Sequence, residues 1–243
     1  MILILKLLCY GLVLLFGIAV SICFSAIQEN KKNVLLAACL FLLLLFLQIL
    51  SWQIFGLNRT KKLYPLIVHL PLVIFLTVVL KSSWLVSISS VFSAYLCCQI
   101  PKWIGAMAAV LFPTQISYYL CYMPAIVLCY VCLRKYVSTP ANRIMTQSRT
   151  SCLLFCAVPF FYYTFDYTTT IYTNWLYSGS VVAVQFIPSM VSMFYFVFIL
   201  IYYEETQREK AVQQERNLMA AQLKEAKMEF DTLRQMQDQT RRY

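Results

Sequence analysis

The feature that most constrains this chain is a succession of apolar runs long enough to cross a bilayer. Residues 34–57 read VLLAACLFLLLLFLQILSWQIFGL, without one Asp, Glu, Lys or Arg. A membrane helix needs about 20 consecutive apolar residues. Further segments of this kind occupy residues 1–27, 63–80, 84–100, 115–133, 151–165 and 180–203. Several are short or broken by proline, so six or seven spans are expected. Hydrophobic residues make up 61% of the chain and charged residues 12%. Soluble domains carry about twice that charge. The expected fold class is therefore all-α, a polytopic membrane helix bundle embedded in lipid. Residues 1–27 exceed the length of a signal-peptide core and lack a clean cleavage site, so they read as a first membrane helix.

Charge is distributed unevenly. From residue 204 onward, eight acids face eight bases, and the formal excess of +10 lies entirely in the first 203 residues. Two domains are expected: residues 1–203 as a membrane bundle and residues 204–243 as a charged cytoplasmic helix. The bases are spread over short connections, which argues for flanking a membrane and against a nucleic-acid partner. Arg134, Lys135, Arg143 and Arg149 lie in a connection free of acids. That loop is expected in the cytoplasm, which places the loop 166–179 outside and the C-terminus inside the cell. For the N-terminal half two arrangements remain. If every segment spans, Arg59, Lys61 and Lys62 lie outside. If residues 103–133 form a re-entrant unit behind a break at Pro101-Lys102, those bases move inside; the charge rule favours this second arrangement.

The C-terminal stretch carries a heptad. Position a holds Arg216, Leu223, Phe230 and Gln237, and position d holds Val212, Met219, Ala226, Leu233 and Thr240. This alternating four-three spacing is that of a coiled coil and predicts a parallel homodimer. Its dimerisation residues are Val212, Met219, Leu223, Ala226, Phe230 and Leu233. A single amphipathic helix lying on the bundle is the other reading of the same stripe. The pattern runs to the last residues without a stop signal, an ending expected of a chain cut before a further domain.

Catalytic constellations are scarce. Five glycines are scattered over 243 residues, with no phosphate-binding loop. The ten cysteines lie in or beside apolar segments and read as small hydrophobes, Cys129-x-x-Cys132 included. The single histidine, His69, excludes zinc sites with several His ligands. Between Pro65 and Pro71 it is expected to bond a carbonyl freed by a proline. No catalytic residue, metal site or cofactor is expected in this chain.

The stretch FFYYTFDYTTTIYTNWLY, residues 160–177, gathers five tyrosines, five threonines and a tryptophan around Asp166. Tyr and Trp supply rigid contact area with a polar tip, and they also gather at membrane interfaces without binding anything. Both readings stand. In the first, Asp166, Tyr162, Tyr163, Tyr167 and Trp175 contact a ligand.

The tail QQERNLMAAQLKEAKMEFDTLRQMQDQTRRY resembles the linker that precedes the phosphoacceptor box in sensor histidine kinases of the accessory-gene-regulator type. YYTFDYTTTIYT and LYPLIVHLPLVIF are similar to segments of the membrane region of such kinases. The resemblance implies a quorum-sensing receptor module for an extracellular, peptide signal, transmitted through the last membrane helix into a dimeric coiled coil. It further implies a missing GHKL-type kinase domain, to which ATP, magnesium and a response regulator would belong. A transporter or channel, or a non-catalytic dimeric scaffold, are the alternatives. Against transport, no inverted repeat is visible and no acid lies in any expected span.

Overall fold

In the computed structural model, which describes residues 2–25, 27, 30–112, 115–172 and 181–240, every regular element is helical. Among the described residues, five stretches are long and apolar enough to cross a membrane: Ile4–Phe24, Lys31–Val79, Trp84–Leu111, Ile116–Gln147 and Phe186–Phe230. The first is α1 (Ile2–Phe24). The second begins with α2 (Lys31–Tyr64) and continues through a π-helical turn, Pro65–His69, into α3 (Leu70–Ile74) and a second π-helical turn, Phe75–Val79.

This second stretch is folded on itself at Gly56, whose φ of 74° and ψ of 167° are open only to glycine at low cost. The Thr60 hydroxyl donates to the carbonyls of Gly56 at 2.9 Å and Ser51 at 3.0 Å. Nine residues along a straight helix would lie about 13 Å apart, so the backbone reverses here. Leu40 and Leu44 before the turn and Val68, Leu72 and Leu76 after it share one buried cluster with Leu14 and Ile18 of α1. Pro65 and Pro71 lack the amide hydrogen that would continue an α-helical ladder; Pro65 opens the first π-helical turn, and Pro71 lies between the two.

The third stretch comprises α4 (Trp84–Cys97) and α5 (Gln99–Leu111). The expected break at Pro101-Lys102 falls three residues earlier, at Cys98 between the two helices, where the carbonyl of Cys97 loses the amide that Pro101 lacks. Pro101 sits in the first turn of α5, where its missing amide costs nothing. Along α4, Ser87, Ser89, Ser90 and Ser93 are fully buried. Small side chains let helices approach closely, and two of these serines bond across: Ser25 to Ser90 at 3.1 Å, and Ser89 with Cys152 at 3.3 Å.

The connection expected between residues 134 and 149 is helical as well. After α6 (Gln115–Cys132), the π-helical Leu133–Val137 leads into α7 (Ser138–Gln147), which buries Pro140, Ala141, Ile144 and Met145. Then α8 (Arg149–Asp166) starts at Ser148, whose hydroxyl accepts the amide of Ser151 at 3.0 Å. It passes into a last π-helical segment, Tyr167–Tyr172.

Finally, α9 spans Val181–Thr240. Its first part belongs to the bundle, since Ser192 donates to the Leu96 carbonyl and Tyr195 to that of Phe155. The chain divides into two units, Met1–Ile199 and Leu200–Tyr243. In the second, residues 208–230 are exposed throughout, and the side chain of Leu233 lies outside the described part. On the outer surface of the first, large apolar side chains such as Leu42, Phe46, Leu128 and Phe161 are also exposed. Such a surface suits lipid, not water.

Candidate functional site

Tyr162, Tyr163, Asp166 and Tyr167 follow one another at spacings that share one face of a helix. The helix does not stop at Asp166, as the expected outer loop would require, but runs on to Tyr172. The Thr168 and Thr169 hydroxyls donate to the carbonyls of Thr164 and Phe165, both at 2.7 Å, which keeps these poor helix formers wound. The face that carries Asp166 therefore turns into the bundle. Asp166 and Tyr162 are each 9% exposed and Tyr167 5%.

Two elements meet this face. From α4, the Tyr95 hydroxyl donates to the Asp166 carboxylate. From the Pro65–His69 turn, His69 Nδ1 lies 2.8 Å from the Tyr163 hydroxyl. The proline-freed carbonyl expected for His69 is thus replaced by a tyrosine 94 positions away in sequence. The rings form a continuous wall. The His69 centroid is 5.1 Å from Tyr64, 5.3 Å from Tyr163 and 5.7 Å from Tyr95. Tyr163 lies 4.6 Å from Tyr167 and 4.8 Å from Tyr95. These separations are those of favourable edge and offset contacts. Tyr162, also buried, has a hydroxyl without a hydrogen-bond partner among the described residues.

Behind this wall lies a cavity of about 560 Å³, bounded by α1, the hairpin after Gly56, α4, α5, α6 and Asp166. That volume falls within the range of small-molecule sites. Lys61, Lys102, Tyr10, Tyr95, His69 and Asp166 supply polar groups to it, and Leu14, Ile18 and Leu72 supply aliphatic surface. One carboxylate and one imidazole, each tied to a tyrosine, suit holding a ligand through hydrogen bonds and ring faces. Among the described residues no group of three or more potential metal ligands occurs.

Of the expected ligand residues, four come together at this wall, while Trp175 lies outside the described residues. Sequence reading missed Tyr95, Tyr64, Lys61 and Lys102. The one signal present was the helical spacing of residues 162, 163, 166 and 167, which implies an inward stripe once the segment is read as helix. One contact fixes the relation of the N-terminal bases to this region: the Tyr172 hydroxyl donates to the Lys62 carbonyl at 3.1 Å. Lys62 therefore lies at the same end of the bundle as the Asp166 segment. The re-entrant arrangement, which would put it at the opposite end, does not hold. Compared with known proteins, the chain matches no family model, no curated protein and no solved structure.

Proposed function

We propose that this chain is the membrane-embedded receptor module of a quorum-sensing-like sensor histidine kinase of the accessory-gene-regulator type, binding an extracellular peptide signal in the cavity behind the tyrosine wall. The observation that carries the reading is the cavity itself. Its wall joins three elements through Tyr95–Asp166 and His69–Tyr163, and two of those elements carry π-helical turns. Such turns occur frequently at functional sites.

In this reading the chain crosses the bilayer repeatedly, and the end bearing Arg134, Lys135, Arg143 and Arg149 faces the cytoplasm. The cavity's polar end opens outside. Residues 204–243 form a parallel dimeric coiled coil through Val212, Met219, Leu223, Ala226, Phe230 and Leu233, and a ligand shifts its register or rotation. The single histidine of the chain lines the cavity, so no phosphoacceptor is assigned to it in this reading.

The reading is tested by placing single cysteines at Met219 and Ala226 and cross-linking in membranes, with and without the peptide fraction of culture supernatant. A ligand-dependent change in cross-linked dimer supports signalling. Identical cross-linking under both conditions counts against it.

A further inference from the structure

The cavity is graded in polarity, and three helices grade it the same way. After the Gly56 turn its lining runs Lys61, Tyr64, Val68, His69, Leu72; from α5 back into α4 it runs Lys102, Gln99, Tyr95, Val91; along α1 it runs Tyr10, Leu14, Ile18, and Ser21 beyond them turns its hydroxyl back onto the Gly17 carbonyl. The polar members cluster at one end: Gln48 donates to Tyr10, while Gln48 also interacts with Tyr64. The aliphatic members Leu14, Ile18, Val68, Leu72 and Val91 belong to one buried cluster. From Cys9 to Ser21 the lining face of α1 covers a depth of about 18 Å.

The lysines at the polar end need a reason. In the orientation proposed above, Lys61 and Lys102 are bases on the outer side, where short flanking segments are ordinarily poor in them. Neither ammonium has a hydrogen bond or ion pair among the described residues, and both lysines line the cavity. Among the described residues Asp166 is the one acid in the lining, and it already accepts the Tyr95 hydroxyl. Two lysines against one aspartate leave a single formal positive charge, which one carboxylate would balance and a phosphate dianion would exceed.

We propose that the cavity takes a small amphipathic carboxylic acid, with its carboxylate between Lys61 and Lys102 and its apolar body among Leu14, Ile18 and Leu72. This deepens, and rests on, the reading of the cavity as the receptor's ligand site. A free peptide C-terminus and a free fatty acid share this chemistry. Gly17 offers a way to block the site without breaking the fold. It lines the cavity, and a Cβ built on it meets nothing within 4 Å. A larger residue there enters open space and also favours the helix over glycine.

The experiment uses the full chain in lipid nanodiscs and equilibrium dialysis of four labelled probes, with empty nanodiscs as the blank. The probes are decanoate, decanol, N-acetyl-Leu-Leu-Phe and its C-terminal amide. At least one acid is expected to bind saturably, about tenfold or more tighter than its uncharged counterpart, as charge-assisted hydrogen bonds would give. The Lys61→Gln/Lys102→Gln double variant should erase that difference, and Gly17→Leu should abolish binding of the acid. Preference for decanoate identifies an acyl acid, and preference for the tripeptide identifies a peptide carboxylate. Equal binding of acid and uncharged counterpart, or an acid preference that survives the double variant, overturns the proposal. So does a failure of both acids to bind. If both acids fail while Gly17→Leu abolishes the cross-linking response to supernatant, the ligand class falls and the receptor reading stands. If the acids bind as expected and cross-linking never responds, the receptor reading falls and the site's chemistry stands.

Discussion

His69 Nδ1 and the Tyr163 hydroxyl, 2.8 Å apart, tie the π-helical turn after Tyr64 to the inward face of α8. Both rings also contact Tyr95, so the pair anchors the wall of the cavity. Tyr163→Phe removes the hydroxyl and leaves a ring nitrogen without its partner in a partly buried site. A loss of about 1–3 kcal/mol is expected. The double variant His69→Phe/Tyr163→Phe should lose less than the two single losses added, because no polar atom is stranded. Thermal unfolding of the four proteins in one detergent measures this coupling. Strict additivity would mean that the bond is not a stabilising contact.

Tyr95 and Asp166 make the second tie, and its two halves are not equivalent. Asp166→Asn keeps an acceptor for the Tyr95 hydroxyl, so stability should fall little. Tyr95→Phe takes a hydrogen bond from a buried carboxylate, and bonds to charged groups contribute about 1.5–3 kcal/mol. The tyrosine variant should therefore unfold at the lower temperature. The reverse order would show that the negative charge itself holds this end of the bundle together.

These two ties mark what the sequence could and could not reveal. Helix positions were legible from apolar runs, because bilayer-length hydrophobicity is written residue by residue. The segment 34–57 ends one residue past the Gly56 reversal. The proline signal was offset: the interruption expected at Pro101-Lys102 lies at Cys98, because Pro101 withholds its amide from the preceding turn while itself lying in the first turn of α5. The stretch after Asp166 read as a loop because Thr and Tyr are weak helix formers. Hydroxyl bonds of Thr168 and Thr169 to carbonyls four residues back override that propensity. The partners of Asp166 and His69 were not legible at all. They come from elements 71 and 94 positions away, and no local pattern encodes such pairings.

Two glycines should respond to substitution for different reasons. At Gly56 the backbone itself forbids a side chain, with φ at 74° and nothing within 4 Å of a built Cβ. Gly56→Ala is expected to cost about 1–3 kcal/mol through strain alone. At Gly105 the backbone is ordinary, but a built Cβ would lie 3.0 Å from the Tyr122 Cβ and 3.1 Å from the Tyr118 ring. Gly105→Ala should therefore be partly absorbed by movement of α6, while Gly105→Val should cost about 1–3 kcal/mol by overpacking. Comparing Ala with Val at each site separates the mechanisms. Equal costs for Ala and Val at Gly105 would argue against a packing origin.

In the second unit, Leu223 is 74% exposed and Phe230 65% exposed in the single chain, and both occupy position a of the heptad. A helix that shows such side chains to water gains by covering them, and a second copy in register does so by knobs-into-holes packing. Leu223→Glu places like charges face to face at the seam of a parallel dimer. Cross-linking through a cysteine at Ala226, three residues on, should then fall sharply. Ala221→Glu is the matched control: it adds the same charge at position f, which faces away from the seam, and should leave cross-linking unchanged. If Leu223→Glu and Ala221→Glu behave alike, the apolar stripe does not form the seam of a dimer.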